Sequence, residues 1–523
     1  MAQSSVTAPA QILVAAINAR FSHASLGARY LLANLGDLRT RAELAEYTRQ
    51  QSVAEIAADI VARRPRVLGL GVYIWNRKWA TELLPLLRQQ LPELVIILGG
   101  PEMTDEAAQN QVWAAANYIC PGEGDWAFAE MCRAILGQRL PPVITTEPPD
   151  LDAVQLPYDE YSDADLAHRL LYVETSRGCA MRCDYCISAN DSAVRFFPRE
   201  PLLAAFEKLL ERGARLFKFC DRSFNHDIPH ALAILDFFLE RVARYPGLFL
   251  HFEMYPDRFP DELRARLAAF PPRSLQLEIG IQSFNPSVLQ TIRRPQNLAR
   301  VAENLRFLRA RTGAWLHTDL IAGLPGETPE SFAAGFDQLV ALEPHEIQLG
   351  ILKKLPGAPI ARHDEAFVMR YRDTPPYEVI STRDWPAEHL VRTARFAHYW
   401  DAIVNSQRFI AAAPLIWQGA PSVFDAFMDC ADWLGARLGR EHGIALSDLV
   451  AAVFEYLTNV RGVAPAVAAE ALIRGYRHIG ARDIPAALAP FLTEPPPAPA
   501  RPVPGALHRQ YLRWTWPAAR PSG

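Results

Sequence analysis

Short continuous apolar runs recur along the chain with helical patterns between them, and this alternation limits the possible folds more than any other feature. In the first part the runs are QILVAAI (11–17), RVLGLGVYI (66–74) and LVIILGG (94–100), with AELAEYT (42–48) and NYICP (117–121) as weaker members. Such runs, rich in β-branched residues, suit strands of a parallel sheet covered on both faces. Helical patterns lie between them at Leu26–Leu35, Val53–Arg63 and Lys78–Gln90. Residues 10–140 therefore read as an α/β domain with an open parallel sheet and helices on both sides. Ligands of such sheets sit outside the carboxyl ends of the strands. Glycine-rich turns mark two of those ends, GGPEMT (99–104) and PGEGDWAF (121–128). Their glycines permit tight turns and close approach of a ligand to the backbone.

A proline-, aspartate- and tyrosine-rich stretch (141–168) reads as a linker. A second series follows, with strand candidates LYVET (171–175), LFKFCD (216–221), FLHFEM (249–254), LQLEIGI (275–281), WLHTDLI (315–321) and EIQLGI (346–351). Helical segments at 201–212, 231–244 and 298–311 alternate with them. Six βα units with right-handed crossovers curl into a partial (βα)6 barrel of TIM type over 169–365, whose functional residues collect where strands end. From about residue 376 the strand signal stops. RDWPAEHLVRTARFAHYWDAIV, VFDAFMDCADWLGARLG and LSDLVAAVFEYLTNV are amphipathic, which predicts a helical extension over 376–492. Residues 493–523 form a proline-rich tail.

Composition narrows the function. Of 523 residues, 50% are hydrophobic and 21% charged, which is ordinary for a water-soluble protein, and a chain of this length buries a core without staples. The formal net charge of −4 gives no global basic footprint, so a nucleic-acid partner is not expected. No run of eighteen apolar residues suggests a membrane span, and the apolar stretch at 12–17 is too short for a signal peptide. Seven scattered or clustered cysteines do not make a secreted disulfide framework, and a cytoplasmic location is expected.

Three of the seven cysteines stand together in ETSRGCAMRCDYCISAN: Cys179, Cys183 and Cys186, just after the first barrel strand. Thiolates bind soft metals. A structural zinc site takes four protein ligands, and neither His168 nor His226 stands at a familiar spacing to complete one. A 4Fe–4S cluster normally takes four cysteines. Held by three, it keeps one iron open, where a chelating amine and carboxylate fit.

Cys-x-x-x-Cys-x-x-Cys with Tyr185 before the last cysteine resembles the signature of the radical S-adenosylmethionine (SAM) superfamily, and the partial barrel matches that family too. The resemblance implies that Cys179, Cys183 and Cys186 hold a 4Fe–4S cluster. Its open iron chelates SAM, and one electron cleaves the sulfonium to a 5′-deoxyadenosyl radical that abstracts hydrogen from a substrate. In some members the methionine derivative instead supplies a methyl group. Tyr185 is then placed near the adenine. FKFCDRSFN resembles the second-strand segment that helps hold the methionine amine, which makes Asp221 a candidate for that contact or for a capping role. LQLEIGIQSFNPSVLQTIRRP resembles the fourth-strand segment, with Glu278 toward the ribose, Gln282 and Ser283 at the strand end, and Arg294 toward a carboxylate or at the surface. DLIAGLPGET and LGILKKLPGAPIA resemble the fifth and sixth strand ends; there Gly323 and Gly326 shape a turn, while Lys353 and Lys354 face the site or solvent.

The N-terminal domain is similar to the Rossmann-like cobalamin-binding module that precedes many such barrels, on GLGVYIWN, LGGPEMT and PGEGDWAF in that order. Tyr73, Gly99, Gly100, Gly122 and Gly124 are the cobalamin-binding candidates that follow from it. The mutase motif Asp-x-His-x-x-Gly is absent: in NARFSHASLGARY three residues separate His23 from Gly27, and Phe21 replaces the aspartate. His23 therefore does not match a cobalt ligand, although several relatives bind cobalamin without one. Together the likenesses cover about residues 10–365 and imply methyl transfer or radical rearrangement on an unidentified small-molecule or peptide substrate. An electron donor of flavodoxin or ferredoxin type is implied as partner. Two alternatives stand beside this reading: a radical SAM enzyme without cobalamin, and a non-catalytic zinc-binding interaction protein. No catalytic side chain is assigned by sequence.

Overall fold

A computed structural model describes residues 10–103, 114–139, 147–191, 193–478 and 485–492. The expected tail at 493–523 lies outside the described residues. The first sheet contains β1 (Ile12–Asn18), β2 (Ala42–Thr48), β3 (Val67–Gly71), β4 (Val95–Gly99) and β5 (Tyr118–Ile119) in the order β2-β1-β3-β4-β5. All its pairings are parallel. β1 is buried along its whole length, as the continuous run ILVAAIN requires. Two apolar clusters cover its two faces, one built on Leu13, Ala15 and Ile17 and the other on Ile12, Val14 and Ala16. β2 and β3 lie on opposite sides of β1, so the connections change direction there, and a crevice opens at that switch point.

The second sheet begins at β6 (Leu171–Val173). A small antiparallel pair follows, β7 (Ser176–Arg177) with β8 (Arg195–Phe196). Then come β9 (Leu216–Phe219), β10 (Phe249–Met254), β11 (Leu275–Gln282), β12 (Trp315–Ala322) and β13 (Glu346–Ile351). The six long-range strands run in chain order from β6 to β13, all parallel, and the two ends do not pair with each other. This is the expected incomplete barrel. Its outward positions, such as Phe217, Phe252, Leu277 and Leu316, are buried under helices. Its concave face is polar, with Lys218, His251, Glu253, Glu278, His317, Asp319 and Glu346 at positions of the other parity.

Both edges of the barrel sheet are covered. At β6, Leu170 N donates to Ser22 O and pairs with His23, so the loop after β1 extends the sheet. At β13, the Asn405 amide accepts from Ile347 N at 3.1 Å and donates to Ile347 O at 2.9 Å, imitating a neighbouring strand. Asn405 belongs to the helical extension. Helices Ala387–Trp400 and Val423–Leu438 bring Phe396, Trp400 and Phe424 against Phe336 of the last crossover helix, with ring centroids 4.8–5.5 Å apart. One apolar cluster thus runs from the barrel into the extension. The segment between the sheets is packed in its described part: Leu151, Val154, Tyr158, Tyr161 and Leu166 join that cluster, and Asp163–His168 is helical. A short antiparallel pair, β14 (Arg370–Tyr371) and β15 (Val379–Ser381), precedes the extension. The sequence reading has no strand there.

Candidate functional site

The three cysteines occupy the loop between β7 and β8, at the carboxyl end of β6. Backbone contacts shape it: Cys179 N donates to Asp191 O at 2.9 Å and Cys186 N to Cys183 O at 3.0 Å. Gly178 enters the loop at φ +90°, and a Cβ there would stand 2.1 Å from Ala193 O, so only glycine fits. Two buried carboxylates hold the loop from opposite sides. Asp221, at the end of β9, accepts from Thr175 N and from the hydroxyls of Thr175 and Ser176 at 2.6 Å each. Burial pushes its pKa up, against those hydrogen bonds. Asp184, between the second and third cysteines, meets His363 Nε2 at 2.7 Å and Arg362 at 3.4 Å, while its backbone N–H donates to Ile292 O.

Cys179 and Cys183 are buried, Cys186 is half-buried, and none is in a disulfide. Arg294 Nη1 lies 3.4 Å from Cys183 Sγ, and its Nη2 donates to Gly280 O. Tyr185 is placed beside Cys183 and Arg294, and burial pushes its phenol up. This donor set fits an iron–sulfur cluster better than one ion. A zinc about 2.3 Å from each sulfur draws tetrahedral ligands to about 3.8 Å of one another. The three sulfurs do not share a 4.8 Å sphere, and neither His168 nor His226 joins them: among the described residues the only such group of three is Glu278, His317 and Asp319.

The other SAM candidates are divided in their placement. Gln282 is buried at φ +72° in a bulge of β11, a strained conformation for a non-glycine residue, next to Gly280 and Arg294. Ser283 donates to Glu327, which turns its hydroxyl toward the β12 loop. Glu278 lies deeper in the barrel, 2.9 Å from His251 Nε2 and 3.5 Å from Lys218 Nζ. Burial raises its pKa, but the His251 hydrogen bond and the Lys218 charge outweigh it and hold the carboxyl below its usual range. Register sets Glu253, Glu278, His317 and Glu346 in one row across β10 to β13. Asp319 and Glu346 flank His317 at 3.2 and 3.5 Å, and together they outweigh burial and raise its pKa well above the usual imidazole range. Beyond β13, Lys354 pairs with Asp364.

A cavity of about 830 Å³ opens between the first sheet and the barrel. The first sheet contributes the ends of β1 and β3 and the glycine turns after β4 and β5. The barrel contributes Tyr172, Arg177, Lys218, Cys220, Arg222 and Glu253. Tyr73, Gly99, Gly100, Gly122 and Gly124 all line it. Gly100 has φ +95°, and a Cβ on it would reach 2.6 Å from Val72 O. The turn therefore stays bare, and a flat ligand can lie against backbone. Tyr73 and Trp75 stack at 4.4 Å on the same wall. His23 also lines the cavity, but its ring stacks on Tyr172 with Nδ1 2.6 Å from the phenol oxygen.

Arg177 ties the two halves together. It sits one residue before Gly178 and reaches Glu123 at 2.6 Å and Asp125 at 2.7 Å in the PGEGDW turn, and Glu174 at 2.9 Å. A second inter-domain cluster joins Arg29 to Glu46 and Asp165 at 2.8 Å each. Sequence reasoning missed Asp184, Arg177, Arg222 and Glu253. For Asp184 and Arg177 the available signal was position, since they punctuate the cysteine motif.

The comparisons agree with this geometry. Residues 173–339 match the Radical SAM superfamily, and residues 12–131 match the B12 binding domain. The chain is a radical SAM protein with a B12 binding domain. It is 26% identical over 457 residues to the cobalamin-dependent radical SAM methyltransferase TokK of Streptomyces tokunonensis, covering 78% of this chain and 63% of that one. It is 29% identical over 348 residues to the 2-(S-pantetheinyl)-carbapenam-3-carboxylate methyltransferase of Streptantibioticus cattleyicolor, covering 59% and 49%. The chain thus spans from about half to just under two thirds of the length of these relatives. In fold it is similar to the radical SAM methyltransferase TsrM of Kitasatospora setae (TM-score 0.55, 20% identity, 67% of this chain and 73% of that one). It is also similar to the cobalamin-dependent radical enzyme OxsB (TM-score 0.57, 13% identity, 89% and 83%). No described helix is long and apolar enough to cross a membrane.

Proposed function

We propose that this chain is a cobalamin-dependent radical SAM methyltransferase acting on an unactivated carbon of a small molecule. The observation that carries the proposal is the shared cavity. One space is walled by the glycine turns of the B12-type sheet and by β6, β9 and β10 of the barrel, and Arg177, two residues before Cys179, lines it too. A methyl donor held on one wall and a hydrogen abstractor held at the barrel mouth then address one substrate. The names of the two curated relatives are both those of methyltransferases, which favours methyl transfer over rearrangement.

The assigned regions are 10–140 for cobalamin, 169–365 for the cluster and SAM, and 376–492 as a supporting helical domain. Cys179, Cys183 and Cys186 hold the cluster. Tyr185, Glu278, Gln282 and Arg294 surround SAM, with Asp221 and Ser283 positioning the loops. Tyr73, Gly99, Gly100, Gly122 and Gly124 cradle cobalamin. The bound cofactors supply the electron, the radical and the methyl group. The protein keeps Cys179 and Cys183 from water and places the Arg294 guanidinium 3.4 Å from the Cys183 sulfur. It leaves the glycine rim bare enough for close approach of a corrin ring. An electron donor of flavodoxin or ferredoxin type reduces the cluster.

Anaerobic purification with cobalamin supplied, followed by iron, sulfide, cobalt and zinc analysis, tests this. The proposal expects a four-iron cluster and one cobalt per chain. Changing the three cysteines to alanine removes the iron and leaves the cobalt. Iron without cobalt points to the cobalamin-free radical enzyme, and stoichiometric zinc without iron to the interaction protein.

A further inference from the structure

The charged side chains of the shared cavity are unevenly satisfied. Glu123, Asp125 and Glu174 all bind Arg177. Lys218 pairs with Glu278 at 3.5 Å. Arg222 and Glu253 are different: both line the cavity, and neither has a hydrogen bond or an ion pair within 4.0 Å among the described residues. Arg222 is exposed, yet burial is the leading influence on its pKa. That combination marks a guanidinium enclosed by protein and open to the cavity. Glu253 is half-buried on β10, and burial together with the Glu278 charge pushes its carboxyl up to about 7. Each feels the other's charge, but they do not close into a salt bridge. The Arg222 guanidinium also feels the charges of Cys179 and Cys186.

A guanidinium open to a cavity and without an ion-pair partner is a ready donor to an anion, and a half-buried carboxyl near it is a ready acceptor for an ammonium. Two opposite charges held apart, in the space where a substrate must meet both cofactors, suit a ligand that carries both. We propose that Arg222 and Glu253 bind the carboxylate and the ammonium of an amino-acid head group on the molecule to be methylated. This rests on the proposed function, because only then is the cavity the substrate's place. SAM carries the same head group, so the test separates the two sources.

The experiment uses chain loaded with cluster and cobalamin, with iron and cobalt measured first. Loading failure in the wild type counts against the proposed function and not against this pair. Calorimetry then measures binding of L-tryptophan, L-phenylalanine and L-methionine, chosen for the apolar and aromatic wall, each against its carboxamide and N-acetyl form. SAM is titrated in a second arm. The expected result is that at least one free amino acid binds, and that blocking either end weakens it about ten- to a hundredfold. Arg222→Ala should cost as much, Arg222→Lys less, and Glu253→Gln should reduce the preference over the N-acetyl form. SAM affinity should stay within about threefold. The proposal is overturned if no free amino acid binds better than its blocked forms, or if Arg222→Ala weakens SAM and leaves the amino acids alone.

Discussion

Asp221→Ala addresses the way the cysteine loop is held. The Asp221 carboxylate gathers three donors from Thr175 and Ser176, three to four residues ahead of Cys179. Alanine leaves the Thr175 N–H with no acceptor in a residue of 0% exposure. The Thr175 hydroxyl keeps His230 Nε2 at 2.9 Å, and the Ser176 hydroxyl can rotate. An orphaned buried N–H costs about 1–3 kcal/mol and each lost charge-assisted bond about 1.5–3 kcal/mol. Release of the buried charge offsets part of this, since burial already raises the Asp221 pKa. A net loss of about 2–3 kcal/mol in local stability results, which corresponds to amide exchange about 30- to 150-fold faster across the loop. Exchange mass spectrometry on peptides spanning 174–190 reads this directly. Asp221→Asn should lie between, because an amide accepts through oxygen but turns its NH2 toward donors. Protection in the alanine variant within about threefold of the wild type would refute the anchoring argument.

Other perturbations test other parts of the site. Arg177→Ala strands Asp125 and Glu174 at the seam between the sheets, while Glu123 keeps Arg195, so a loss of about 3–5 kcal/mol in urea stability is expected, with poorer retention of both iron and cobalt. Gly100→Ala meets Val72 O at φ +95° and should cost about 1–3 kcal/mol and lower cobalt content while iron stays. Glu253 binds its proton more tightly folded than unfolded, so its contribution is present at pH 4 and is lost as pH rises through about 7. Glu253→Gln should therefore gain stability relative to the wild type between pH 5 and pH 8, by up to about 2–3 kcal/mol in cofactor-free chain; an unchanged difference in urea midpoint across that range contradicts the reading.

The order of elements was legible because the strands of the two parallel sheets announce themselves by composition. Phe249–Met254 and Glu346–Ile351 fall where the apolar runs put them, and Val53–Arg63 and Leu298–Arg311 match their helical patterns. The short helix Asp261–Ala269 is absent from the sequence reading. Asp261–Ala269 carries several charged residues and buries only Leu263 and Leu267, so it gives little periodic signal. The cysteines and the glycine turns were readable for a chemical reason: thiols on one loop have few other uses, and bare backbone at a strand end serves close approach.

The charged lining of the cavity belongs to another class of information. LQLEIGIQ alternates apolar and polar residues, whereas a parallel strand under helices on both sides is apolar throughout. The alternation is itself a signal that one face of β11 is free of helices and looks into an open half-barrel. FLHFEM and WLHTDLIA carry the same pattern, and it picks out His251, Glu253, Glu278, His317 and Asp319 without coordinates. Which of these are paired with each other and which remain open does not follow from parity. It depends on register and on where the first sheet meets the barrel. Arg222 follows Asp221 on a strand-end loop and looks like any surface arginine in sequence. It becomes distinct only because Arg177 neutralises the neighbouring acids at the seam and leaves Arg222 and Glu253 as the unpaired charges facing the cavity.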